Sequence, residues 1–174
     1  MIDSSSPVWR PHVTVAAVVE REGRFLLVEE ETEDGLRLNQ PAGHLEYGES
    51  LVQAVVRETL EETRHDFEPL TLLGCYLLPA PDAQGTTYLR VAFSGRLGPE
   101  HPERVLDAGI VRTLWLTRGQ IAQAPARLRS PLVLRCVDDH LAGRRGELAL
   151  LHIEGAAGRP GTRPASGAGG SARA

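Results

Sequence analysis

The chain has 174 residues, 41% of them hydrophobic and 24% charged, which is enough for one domain with a substantial core. Its net charge of −4 argues against a nucleic-acid polymer as partner. All 19 basic residues are arginine, which excludes Schiff-base lysine chemistry and a standard P-loop with its phosphate-binding lysine. The N-terminal segment MIDSSSPVWRPH has no charged region followed by an apolar one, and no apolar run approaches the roughly 20 residues that span a bilayer. The expectation is a cytoplasmic protein with no membrane partner. Cys75 and Cys136 have no metal-ligand spacing and no disulfide framework; both sit in apolar runs, where buried, inert thiols are expected.

Strand signals come first. HVTVAAVVE (residues 12–20) is apolar and β-branched, and GRFLLVEE follows after the short turn REG, so the pair reads as a hairpin. The acidic segment EETEDG reads as a loop leading to LRLNQPAG, where Pro41 and Gly43 interrupt regular structure. A glutamate-rich helix is predicted from about Glu49 to about His65. TLLGCYLLPA and TTYLRVAFSGRL read as strands joined by the turn APDAQG, GPEHPERVLDAG as a loop, and IVRTLWLT as a further strand. Thr117 is placed to cap a short helix in TRGQIAQA, and SPLVLRCVDDHLAG reads as another helix with Ser130 as N-cap, Pro131 at its first position and Gly143 beyond its end. From Gly155 onward there is no large apolar side chain and no acid, but three arginines. That composition predicts a disordered tail over 155–174 beyond a folded domain over 1–154. The irregular alternation of strands and helices points to an α/β (α+β) fold, a mixed sheet with helices packed against it.

The helix carries the chemistry. On a wheel of about 100° per residue, Val52, Val56, Thr59, Leu60 and Thr63 form one stripe, and Glu58, Glu61 and Glu62 gather opposite. Like charges three and four residues apart repel, and near a helix C-terminus they also meet the unfavourable end of the dipole. A solvated acidic face is one account of this cluster. A hard divalent cation such as Mg²⁺, held by the carboxylates beside a phosphate, is the other.

The spacing of Gly43, Glu49, Arg57-Glu58 and Glu61-Glu62 resembles the Nudix signature G-x5-E-x7-R-E-U-x-E-E-x-G-U, where U is bulky and apolar. Thr59, Arg64 and His65 depart from it at positions that shape the helix and its exit. The resemblance implies a Nudix-type α/β/α sandwich around a mixed β-sheet, with Glu49 and Arg57 as a structural pair. It implies that Glu58, Glu61 and Glu62 are the catalytic, metal-binding set, joined by the backbone carbonyl of Ala42, with Mg²⁺ or Mn²⁺ as the ion. Water activation falls to one of these glutamates or to a distant acid, Asp107 or Glu103.

RPHVTVAAVVEREGRFLLVEEE, LNQPAGHLE and RSPLVLRCVDDHLAG extend the likeness over about residues 10–151 to a bacterial phosphatase branch of that family. The branch implies Mg²⁺-dependent release of orthophosphate from nucleoside tri- and diphosphates and from hydroxymethylpyrimidine pyrophosphate. His12, Asn39, Gln40 and Arg129, with Ser130, are the substrate-binding candidates. Tyr47, Tyr76, Tyr88, Phe93 and Trp115 are the aromatic residues available to stack on a base, Trp115 being expected in the core. Cleavage of a nucleoside diphosphate-linked compound such as ADP-ribose, and a non-catalytic nucleotide-binding module, are the alternative readings. Monomer and homodimer both remain open.

Overall fold

The computed structural model describes residues 9–80, 85–152 and 154. The tail expected from Gly155, and residues 81–84 of the turn APDAQG, lie outside the described residues. The elements are β1 (His12–Arg21), β2 (Arg24–Thr32), β3 (Gly35–Asn39), β4 (Ala42–His44), α1 (Leu51–Thr63), β5 (His65–Pro79), β6 (Thr87–Glu100), β7 (Ile110–Thr117), α2 (Arg118–Ala122) and α3 (Leu132–Leu141), with single 3₁₀ turns at Pro125–Arg127 and Leu148–Leu150.

Strand β1 organises the sheet. It pairs in parallel with β6 along most of its length, antiparallel with β4 through Thr14–Ala16, and antiparallel with β2 at its last two residues. The order β3-β2-β1-β6-β5 results, with β7 on the other side of β2. The β1–β2 hairpin turns on Glu22 and Gly23, both at positive φ, as a two-residue turn that matches strand twist requires.

Alternation along the strands divides the core in two. Val15, Ala17, Val19, Leu26, Val91 and Phe93 face α1 and its Ala54 and Val55. Ala16, Val18, Phe25, Leu27 and Ala92 face α2 and α3 through Ile121, Val133, Cys136 and Val137. The fold is therefore the expected α/β/α sandwich around a mixed sheet.

Several expectations are corrected. The segment 35–44 forms two short strands rather than only loop: β3 ends at Asn39, and after Gln40-Pro41 the chain rejoins the sheet as β4. β5 begins at His65 rather than Thr71, because it is an edge strand that tolerates Pro69 with a shift of register. That edge position also leaves Cys75 exposed, while Cys136 is buried as expected.

Ser130 does not cap α3. The cap residue is Pro131, and among the described residues no side chain bonds to the helix start and the buried Ser130 hydroxyl has no hydrogen-bond partner. The wheel put the acids opposite the buried stripe, yet the buried residues of α1 are Ala54, Val55, Glu58, Thr59, Glu62 and Thr63. Two of the three glutamates thus lie on the face that meets the sheet.

α1 starts at a capping box formed by Ser50 and Gln53 and ends at Arg64, whose φ of 61° is left-handed. Glycine adopts this conformation without strain. Arg64 is held there by its N–H to the Leu60 carbonyl, by His101 N–H to its own carbonyl, and by an ion pair with Glu100 at 2.9 Å. The ion pair is half-exposed and contributes little. Arg64→Gly is therefore expected to stabilise the fold by about 1 kcal/mol, read as a higher urea midpoint at unchanged m-value.

Candidate active site

β4 is three residues long, and each residue holds a different part of the acidic helix. The Ala42 N–H donates to Glu62 Oε2 at 2.9 Å. Gly43 lies directly under Glu58: a Cβ at this position would stand 2.1 to 2.2 Å from the Glu58 carboxylate. The His44 carbonyl accepts a hydrogen bond from Arg57 Nη2 at 3.0 Å. Only a residue without a side chain at position 43 lets Glu58 reach the sheet.

Arg57 joins the acids. It grips Glu49 through Nε at 3.1 Å and Nη2 at 2.7 Å, and its Nη1 donates to Glu58 at 2.7 Å and Glu61 at 3.0 Å. Glu49 also accepts the Glu46 N–H, which fastens the loop before α1. The two-pronged contact with Glu49, ahead of the other carboxylates, holds Arg57 firmly in its charged form. Burial pushes the Glu58 carboxyl up despite Arg57. Burial likewise pushes Glu62 up to about 8, with the nearby charges of Glu58, Glu30 and Asp107 adding to the effect.

The remaining predicted residues divide by position. Asp107 is tied to the helix by its N–H to the Glu61 carbonyl at 2.9 Å, whereas Glu103 is 72% exposed beside His101. Asn39 and Gln40 are buried, and Gln40 donates to the Val133 carbonyl at 2.8 Å. Arg129 lines an open cleft with Glu30 and the β2–β3 turn, its Nε 3.5 Å from Glu30. His12 is exposed among the rings of His44 and Tyr88. His65 bonds to the Thr63 carbonyl at the start of β5.

Sequence reasoning missed Arg90. It is buried in β6 and donates at 3.3 Å to both Gln40 Oε1 and Asn39 Oδ1. Burial opposes its charge, and the carboxylates of Glu30 and Glu62 help to maintain it. The signal was available: an arginine in the middle of the apolar run YLRVAF is costly to bury without partners.

These residues suit a hard divalent cation. The donors are carboxylate oxygens, and two of them are buried with their charge opposed by that burial. Among the described residues, however, no three His, Cys, Asp or Glu side chains stand together as a ready ligand cluster. The cause is visible: Arg57 Nη1 is shared between Glu58 and Glu61, and the Ala42 N–H holds Glu62. Arg57 thus competes with any cation for the same oxygens.

Residues 9–135 match the family model described as the NUDIX domain. The chain belongs to the Nudix family. Phosphatase NudJ of Escherichia coli strain K12 is 40% identical over 144 residues, covering 83% of this chain and 92% of that protein. A NUDIX hydrolase from Nitrosomonas europaea has 48% identity and a TM-score of 0.80, covering 83% of this chain and 98% of that one. The NUDIX domain of Shewanella oneidensis NrtR, solved with ADP ribose, shares the fold at 19% identity and a TM-score of 0.58, covering 76% and 90%. The chain is accordingly a Nudix hydrolase, an enzyme of a family that is generally dependent on divalent metal and acts on nucleotide-type phosphates.

The clash at Gly43 is with the mobile end of a side chain rather than with backbone. Gly43→Ala is therefore expected to cost little stability but to displace Glu58, lowering kcat by about a hundredfold or more; thermal unfolding and turnover measured together test this. Glu62 carries a pH dependence of its own. The folded protein keeps its proton up to about pH 8, whereas an ordinary glutamate loses it near 4.5. Metal-free stability should therefore fall as pH rises between those values. Glu62→Gln should flatten that slope, which urea unfolding in chelator at several pH values measures.

Proposed function

We propose that this Nudix hydrolase is a Mg²⁺-dependent phosphohydrolase that releases orthophosphate from nucleoside tri- and diphosphates and from hydroxymethylpyrimidine pyrophosphate. Mn²⁺ would serve in place of Mg²⁺. The observation that carries this reading is the 40% identity to Phosphatase NudJ over 83% of the chain, which runs through the acidic helix and the strands around it. A cytoplasmic setting fits such substrates.

In this reading Glu58, Glu61 and Glu62, with the Ala42 carbonyl, hold the ion. When bound, it would neutralise phosphate charge and acidify a water. Arg57 and Glu49 fix the helix against its loop and set the direction of Glu58 and Glu61. Glu62, withdrawn from water and held by the Ala42 N–H, is one candidate base toward water, available as a carboxylate once a bound ion displaces its proton. Its Oε2 is engaged by the Ala42 N–H, which leaves Oε1 to face the ion. Asp107 is the second candidate base, since its loop is tied to the C-terminal end of the same helix. Arg129, about half-exposed beside the cleft, supplies a positive charge for the phosphate chain.

Cleavage of ADP-ribose is the alternative favoured by one observation, the ligand in the structure of the NrtR domain. Product analysis separates the readings. With Mg²⁺, stepwise orthophosphate from nucleoside triphosphates and diphosphates is expected, and Glu62→Gln is expected to reduce it by about a thousandfold or more. Pyrophosphate as the product, or turnover of ADP-ribose alone, would move the enzyme to another branch. Nucleotide binding without any turnover would identify a non-catalytic module.

A further inference from the structure

The sheet face that meets α3 continues past the core, and three rings gather at its end. His12 lies opposite Tyr88 across the β1–β6 pairing, and Thr14 lies opposite both Arg90 and His44. Two-residue periodicity puts His12, Thr14, His44, Tyr88 and Arg90 on one face. The ring centroids are 5.8 Å apart for His12 and His44, 5.6 Å for His12 and Tyr88, and 6.4 Å for His44 and Tyr88. The planes meet at 70°, 46° and 50°. His12 and His44 meet edge to face and Tyr88 is tilted to both, so the three rings line a cup rather than a parallel stack. His12 and His44 are exposed and Tyr88 is half-buried.

The cup is coupled to the acids through β4. His44 contributes its ring to the cup and its carbonyl to Arg57. Two residues earlier on the same strand, the Ala42 N–H holds Glu62. The distance along an extended strand is about 7 Å, the scale that separates the flat ring of a nucleotide from its phosphates. Arg90, one row from Tyr88 on β6, brings a buried positive charge between the two. The other aromatic candidates are poorly placed for this task. Phe93 is fully buried, Tyr47 is 83% exposed in the loop before α1, Tyr76 donates to Asp139, and Trp115 lies under Arg21.

We infer that His12, His44 and Tyr88 form the subsite for the flat heteroaromatic ring of the substrate. The inference rests on the phosphohydrolase reading only for the phosphate end of that substrate. A nucleobase and a bare pyrimidine present the same π-face, and sequence-tolerant stacking is the chemistry that recognises both.

The test measures binding to the full-length protein in Mg²⁺. One probe is a non-hydrolysable methylene analogue of a nucleoside diphosphate; the other is methylenebisphosphonate, which has no ring. The wild type should bind the nucleotide analogue more tightly. Tyr88→Leu should weaken the nucleotide analogue about tenfold or more while leaving methylenebisphosphonate within about twofold, and Tyr88→Phe should restore binding. If Tyr88→Leu loses both probes, the fold has been damaged, and His44→Ala, at an exposed side chain, decides instead by the same criterion. Equal binding of the two probes by the wild type, or an unchanged nucleotide affinity in the deciding variant, overturns the subsite. Selective loss of the nucleotide analogue in a protein that hydrolyses nothing would sink the phosphohydrolase reading and leave the subsite standing. Competition by hydroxymethylpyrimidine pyrophosphate that is also lost in the variant identifies a bare pyrimidine as a further occupant.

Discussion

One guanidinium holds this site together. Arg57 spends its donors on Glu49, Glu58, Glu61 and the His44 carbonyl, so it fastens the loop before α1, the helix itself and the strand beneath it with a single planar group. Lysine could not do this, since a compact ammonium lacks the fixed fork that serves several acceptors at once. Without that charge, three glutamates on adjacent turns would repel one another with two of them withdrawn from water, and the apolar packing of α1 on the sheet would have to offset that cost alone.

β4 is the counterpart of Arg57. Its three residues offer an N–H, a bare α-carbon and a carbonyl in succession, and each is used by a different residue of α1. Because β4 pairs with the buried strand β1, the acids are positioned from the sheet rather than from a flexible loop. A site built on sheet in this way keeps its geometry better than one built on connections.

Most of the architecture was legible in the sequence, and the parts that were not have physical causes. The strands with β-branched alternation, the Thr117 cap and the glutamate spacing were all recognisable from local pattern. β3 and β4 were not, because strands of five and three residues interrupted by Pro41 carry too little periodicity to distinguish from loop. The buried side of α1 was misjudged because the wheel weighs residue polarity alone. It cannot know that Gly43 opens a space for a carboxylate, or that Arg57 will compensate it. Arg90 was overlooked for a related reason: its partners Asn39 and Gln40 are remote in sequence, and they come close only because β1 pairs with β4 on one side and with β6 on the other.

That pairing has a consequence for how the molecule is made. β1 and β6 run in parallel and join residues as distant as His12 and Tyr88, so the central sheet contact closes a very long loop before it yields any stability. Such non-local topology slows folding. During synthesis the first hairpin and the acidic helix emerge well before β6, and until it arrives the apolar strip of β1 has no long partner. The carboxylates and Arg57 therefore take up their final spacing against β4 only when the second half of the chain has completed the sheet beneath them.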